Sequence, residues 1–179
     1  FNYKKLLKGV AKLVISFPER LEQTESLADI FELVKEAVRR KLHTGRAGLN
    51  LGLAELGGHK NYLIGAFYPV GSNIIIMNKT PLRKITESNP ALFKPYSFHI
   101  LLHEYLHSLG NLDERYTRDK TYQITRDIFG PEHLATLISE DMSRFLPYLV
   151  YPTPEWAPEE GLFVEMVPNF DRSSINYIT

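Results

Sequence analysis

The sequence predicts an α+β fold in which helices flank a short run of strands and a histidine-bearing helix follows them. Three observations carry this. Apolar residues recur at helical spacing near the start and again over the second half of the chain. Residues 49–78 alternate apolar and small residues or cluster β-branched ones between turn signals. From residue 147 onward, prolines at 147, 152, 154, 158 and 168 forbid long regular structure.

Taken in order, residues 3–17 place Leu6, Leu7, Val10, Leu13 and Val14 on one helical face, and Pro18 is expected to stop that helix. A second helix is expected over about 25–42, capped by Thr24 or Ser26, with Leu27, Ile30, Phe31, Val34 and Val38 inward. Thr44, Gly45 and Gly48 break the chain. "LNLGLAEL", "NYLIGAFY" and "NIIIMN" then read as short strands, with "PVGS" as a turn, giving a small, mixed or mostly antiparallel sheet. Residues 81–95 read as a loop with one short helical turn. A helix over 97–109 presents Phe98, Leu101, Leu102, Tyr105 and Leu109, and Gly110 stands where a left-handed cap belongs. Residues 113–129 form the next helix with Asp113 as its cap, and 131–146 the last. The expected organisation is a domain over 1–151, with N-terminal helices over 1–45, the sheet and histidine-bearing helix over 46–113, and C-terminal helices over 114–151. An extended Pro-rich arm follows over 152–179.

Composition narrows the function. Lys plus Arg and Asp plus Glu number 21 each, so no net field draws in nucleic acid, and none is expected as a partner. Cysteine is absent, which removes disulfides, thiolate metal sites and a cysteine nucleophile together. No run of eighteen apolar residues and no signal peptide is read, so a cytoplasmic location without a membrane segment in this chain is expected.

The chemistry concentrates in "FHILLHEYLHSLGNLDE". Three of six histidines, His99, His103 and His107, recur at four-residue intervals, and Glu104 directly follows the second. At the helical repeat, His103 and His107 lie roughly 40° apart on one face, one turn from each other, and can reach the same ion. Glu104 is turned about 100° away, where a carboxylate can hold and deprotonate a metal-bound water. A third ligand must come from beyond the helix, and Gly110 permits the chain to turn back. An acid at the sixth place after His107, Asp113, stands where such a ligand can arrive, although capping alone also explains it. Glu140, His133 and Glu114 compete with it for that place. His99 reads as a neighbour of the site or a surface group. His133, Tyr148 and Tyr151 are the candidates for stabilising an oxyanion.

"HEYLHSLGNLD" resembles the extended zinc signature of the metzincin clan of metallopeptidases, in the variant with aspartate third. The preceding "AFYPVGSNIIIMN" resembles the edge strand, turn and second strand that zincin peptidases place before the active-site helix. The resemblance spans about residues 49–114. It implies a zincin-like fold with a small sheet backed by the active-site helix, Zn2+ held by His103, His107 and Asp113, and Glu104 as general base. It also implies peptide or protein substrates pairing with backbone at Ala66, Phe67 and Tyr68. The metzincin pattern also carries a methionine turn under the metal, to which Met142 and Met166 are poor matches. Gluzincin peptidases, the second resemblance, take a glutamate from a following helix, for which Glu140 is the obvious candidate. The non-enzymatic reading is a zinc-stabilised peptide-binding or interaction module. In the arm, "GLFVEMV" is expected either to strap apolar surface or to lie along the edge strand or over the cleft.

Overall fold

Ser16 opens the first described helix through a capping box: its hydroxyl accepts from the Glu19 N–H, and the Glu19 carboxylate reaches back to the Ser16 backbone. The computed structural model describes residues 14–57, 61–153, 156–158 and 161–172. Most of the helix expected over 3–17 lies outside them. Helix α1, Phe17–Glu22, begins where that helix should have ended, because Pro18 sits in the first turn, where its missing N–H costs no hydrogen bond. A second capping box, Ser26 with Asp29, starts α2, Leu27–Leu42, which buries Ile30, Phe31, Val34 and Val38 as its periodicity predicts.

The strands are β1 (Asn50–Ala54), β2 (Leu63–Ile64), β3 (Ala66–Phe67) and β4 (Ile74–Asn78), joined later by β5 (Leu149–Val150) and β6 (Glu165–Met166). The fold is α+β, about half helical, with a small mixed four-stranded sheet in the order β3-β4-β1-β6. β1 and β4 are parallel, while β3 and β6 run antiparallel at the two edges. "NYLIGAFY" is therefore two strands and not one: Gly65 breaks it, and β2 leaves to pair in parallel with β5. The reason is crowding. A Cβ on Gly65 would lie 2.9 Å from the Tyr96 hydroxyl and 3.1 Å from Ile100 Cδ1, so a side chain here would have to push aside the ends of two buried side chains of a later helix.

The sheet is apolar on both faces. Leu51, Ala66, Ile75 and Met77 point into the main core, and their alternates Ala54, Phe67 and Ile76 form a second cluster on the other face. The C-terminal arm covers that second face with Trp156, Leu162 and Val164. Its β6 pairs with β1, at the edge opposite β3, so "GLFVEMV" does not lie along the β3 edge. Farther on, Phe170 stacks on Phe31 and buried Asp171 pairs with buried Lys35, tying the arm to α2.

Residues 79–88 correct the expected loop. Helix α3, Lys79–Ser88, is capped by Asn78, tolerates Pro81 within its first turn, and buries Leu82 and Ile85. After a short 3-10 turn, α4 runs Phe93–Ser108 and starts a turn earlier than its apolar pattern implies. Then come α5, Glu114–Phe129, with Asp113 as cap, and α6, Leu134–Glu140. α6 is shorter than the helix expected over 131–146 because His133 caps its start and Asp141 leaves helical backbone at its end. Among the described residues no helix is long and apolar enough to cross a membrane.

Candidate metal centre

α4 is buried on nearly every side, and this sets the character of its polar residues. His99, His103 and Glu104 are each no more than 3% exposed. Such groups persist in a core only with partners or an ion. The four-residue spacing places His103 Nε2 and His107 Nε2 3.1 Å apart, with the two rings nearly perpendicular.

The helix ends as expected: Leu109 caps it and Gly110 takes a positive φ of 99°. Asn111 fastens the returning loop. Its side-chain amide donates to the Leu106 carbonyl, and its own carbonyl accepts from His107 Nδ1 at 2.6 Å and from the Thr117 hydroxyl. A carbonyl can only accept, so His107 Nδ1 carries a proton. In the neutral ring, the lone pair is then on Nε2, aimed at His103.

Asp113 is not the carboxylate that faces this pair. Its Oδ1 accepts from the Tyr116 N–H at 2.6 Å, spent on capping α5. The next residue supplies the acid instead: Glu114 Oε1 lies 3.0 Å from His103 Nε2, and Oε2 lies 3.1 Å from His107 Nε2. One extra methylene and one step into the helix carry its carboxylate past the cap to the imidazoles. Glu140 closes α6 beside a neighbouring cavity, and His133 caps α6 with its ring stacked on Phe129, so neither joins the pair. Tyr151 commits its hydroxyl to His99 Nε2 at 2.6 Å.

His103, His107 and Glu114 together could hold a metal ion, their donor atoms lying within 4.8 Å of one another. The donor set suits a divalent cation: two neutral imidazoles and one carboxylate. A second feature agrees. Buried Glu114 Oε1 stands 3.0 Å from His103 Nε2 yet makes no aligned hydrogen bond, as donor atoms do when they face a common centre and not each other.

The electrostatics follow from burial and this cluster. Burial pushes the Glu104 carboxyl up to about 7; His107 and a hydrogen bond from the Tyr68 backbone pull the other way, while Glu114 adds to the rise. Burial would raise Glu114 too, but His103 and His107 outweigh it and hold that carboxyl down to about 2. Burial lowers His103, against the pull of Glu114. His107 is raised, because Glu114, Glu104 and the Asn111 carbonyl together exceed its burial cost.

Glu104, His107 and Glu114 border a cavity of about 570 Å³ whose other walls include Phe67, Tyr68, Val70, Trp156 and Leu162. Phe67 and Tyr68 thus stand at the site, whereas the side chain of Ala66, also in β3, is buried in the main core. Trp156 packs edge-on against Phe67, with ring centroids 5.0 Å apart, so the arm forms one wall of the cavity.

Arg46 was not legible as part of this region. Its guanidinium donates to the Tyr68 hydroxyl and to the Ser72 and Ser108 carbonyls, fastening the β3–β4 turn to the end of α4. Its position in an irregular stretch between glycines offers no periodic signal. No family model, curated protein or solved structure matches this chain.

Proposed function

We propose that the chain is a zinc-dependent metallopeptidase with His103, His107 and Glu114 as ligands and Glu104 as general base. The observation that carries the reading is Glu104 itself: a buried carboxyl next to the donor cluster, facing an open cavity that the edge strand also borders. A structural ion has no use for such a group, since closed sites take four protein ligands. The spacing supports zinc. Ligand atoms on a tetrahedral ion with bonds of roughly 2.0–2.1 Å stand about 3.3 Å apart, close to the 3.0–3.1 Å found among the Nε2 and carboxylate oxygen atoms. Two histidines one turn apart plus a glutamate from the following helix also favour the gluzincin resemblance over the metzincin one, with Glu114 in the role first expected of Glu140.

Bound zinc supplies Lewis acidity towards water and a peptide carbonyl. Glu104, with its pKa brought near neutrality by burial, takes a proton from water and returns it to the leaving amine. The free edge of β3, Ala66 and Phe67, continued by the backbone of Tyr68, pairs with an extended peptide. The adjoining cavity receives an apolar side chain against Phe67 and Trp156.

The test compares wild type with Glu104→Gln for zinc content and for cleavage of a mixed peptide pool followed by mass spectrometry. The expected result is one zinc ion in both and cleavage in the wild type alone. A wild type that holds zinc and cleaves nothing overturns the peptidase in favour of a zinc-stabilised binding module. One that takes up no zinc overturns the metal centre as well.

A further inference from the structure

The two imidazoles of the cluster are held by different means. His107 has the usual arrangement, its Nδ1–H donating to the Asn111 carbonyl. Buried His103 has none: its Nδ1 has no hydrogen-bond partner among the described residues. A ring attached through one rotatable bond, with no hydrogen bond behind it, needs something else to fix its plane. Tyr151 lies there. Its ring stacks on His103 with centroids 4.5 Å apart and planes 26° from parallel.

Tyr151 is fixed in turn by a chain of hydrogen bonds whose direction can be counted out. The Ser139 hydroxyl donates its single hydrogen to the Ala135 carbonyl at 2.7 Å. At 2.8 Å from His99 Nδ1, that oxygen can therefore only accept, so Nδ1 carries the His99 proton. His99 Nε2 is left as an acceptor, and the Tyr151 hydroxyl donates to it at 2.6 Å. The Arg118 guanidinium also sits over the Tyr151 ring, 5.5 Å from its centroid. A tyrosine from the segment after α6 is thus locked against α4 at the imidazole that lacks its own hydrogen bond.

We propose that Tyr151 is a positioning residue for the metal centre, setting the plane of His103 by stacking, with its hydroxyl held by His99 and His99 oriented in turn by Ser139. This rests on the metal-centre part of the proposed function and not on peptide hydrolysis.

Cobalt(II) is the probe, because its visible d–d bands report ligand geometry independently of turnover. Wild type, Tyr151→Phe, Tyr151→Leu and the control Tyr148→Leu are titrated with cobalt(II), with circular dichroism as the check on folding. Tyr151→Leu is expected to lose roughly 10–100-fold in affinity, the usual effect of removing an outer partner of a ligand, and to shift the d–d bands. Tyr151→Phe, which keeps the ring but frees it from His99, should lose a few-fold with a smaller shift. Tyr148→Leu should match wild type in both. A folded Tyr151→Leu with wild-type affinity and bands overturns the proposal. If that variant does not fold, Tyr151→Phe decides, and unchanged affinity and bands there overturn it. Wild type that binds no cobalt(II) defeats the metal centre itself, a distinguishable failure.

Discussion

The two sides of α4 have opposite duties. On one side Phe98, Leu101, Leu102 and Tyr105 pack into the main core, with edge-on aromatic contacts from Phe98 to Phe129 and from Tyr105 to Phe31. On the other, His99, His103, Glu104 and His107 are buried or half-buried polar groups whose protonation the surroundings have shifted. The first side returns free energy through burial, and the second costs it through desolvation. The polar side is therefore tolerated because the apolar side anchors the helix, so stability and ion binding should be separable by mutation.

Mutations on opposite sides of α4 should show this directly. Leu101→Ala should lower unfolding stability by about 2–5 kcal/mol in urea titrations, while the molecules that stay folded still bind one equivalent of ion. His107→Ala should do the reverse: no stoichiometric ion binding by calorimetry, with metal-free stability changed by no more than about 1 kcal/mol. If both variants lost both properties, the two sides would not be separable.

The second effect concerns pH. Burial, with His103 close by, holds the His99 pKa down to about 3 from an ordinary 6.5. The unfolded chain therefore takes up a proton at His99 below about pH 6.5 while the folded chain does not. The associated stability is complete above that pH and lost as pH falls towards 3. Between pH 6 and 4, metal-free wild type should lose stability more steeply than His99→Asn, by up to about 1.4 kcal/mol per pH unit. Equal slopes would mean that His99 is not held neutral.

The smallest effect separates two neighbouring acids. Asp113→Ala removes the α5 cap and should cost about 1 kcal/mol of stability, leaving ion affinity nearly intact. Glu114→Ala should weaken ion binding sharply and, because His103 and His107 hold that carboxylate ionised, also lower metal-free stability at neutral pH. Parallel thermal melts and ion titrations check both, and the opposite pattern would restore Asp113 as the ligand.

This pair also marks where the sequence stopped being legible. The spacing of His103, Glu104 and His107 is a property of one helix, and helical geometry is regular enough to read in advance. Choosing between Asp113 and Glu114 needs the direction of a loop and the start of the next helix, which depend on Asn111 and its bonds to Leu106 and His107. The α+β class and the inward face of α2 followed from periodicity. α3 did not, because Pro81, Pro90 and Pro95 look like breakers until each is seen in the first turn of a helical segment, where proline removes no hydrogen bond. β2 and β3 merged into one expected strand because a glycine that admits a packed helix looks like any other glycine. Tyr151 carried no signal for its role, since the histidine that accepts from its hydroxyl is 52 residues away in sequence.

Gly65 has a consequence for tuning. Tyr96 and Ile100, whose side-chain ends fill the space a Cβ would need, are on the same helical rod as His103, and both are buried. A single methyl group at residue 65 therefore acts as a shim between sheet and rod. Any movement of the rod that it forces would be passed on to the His103 and His107 nitrogens without contact with either, detuning the site from a distance.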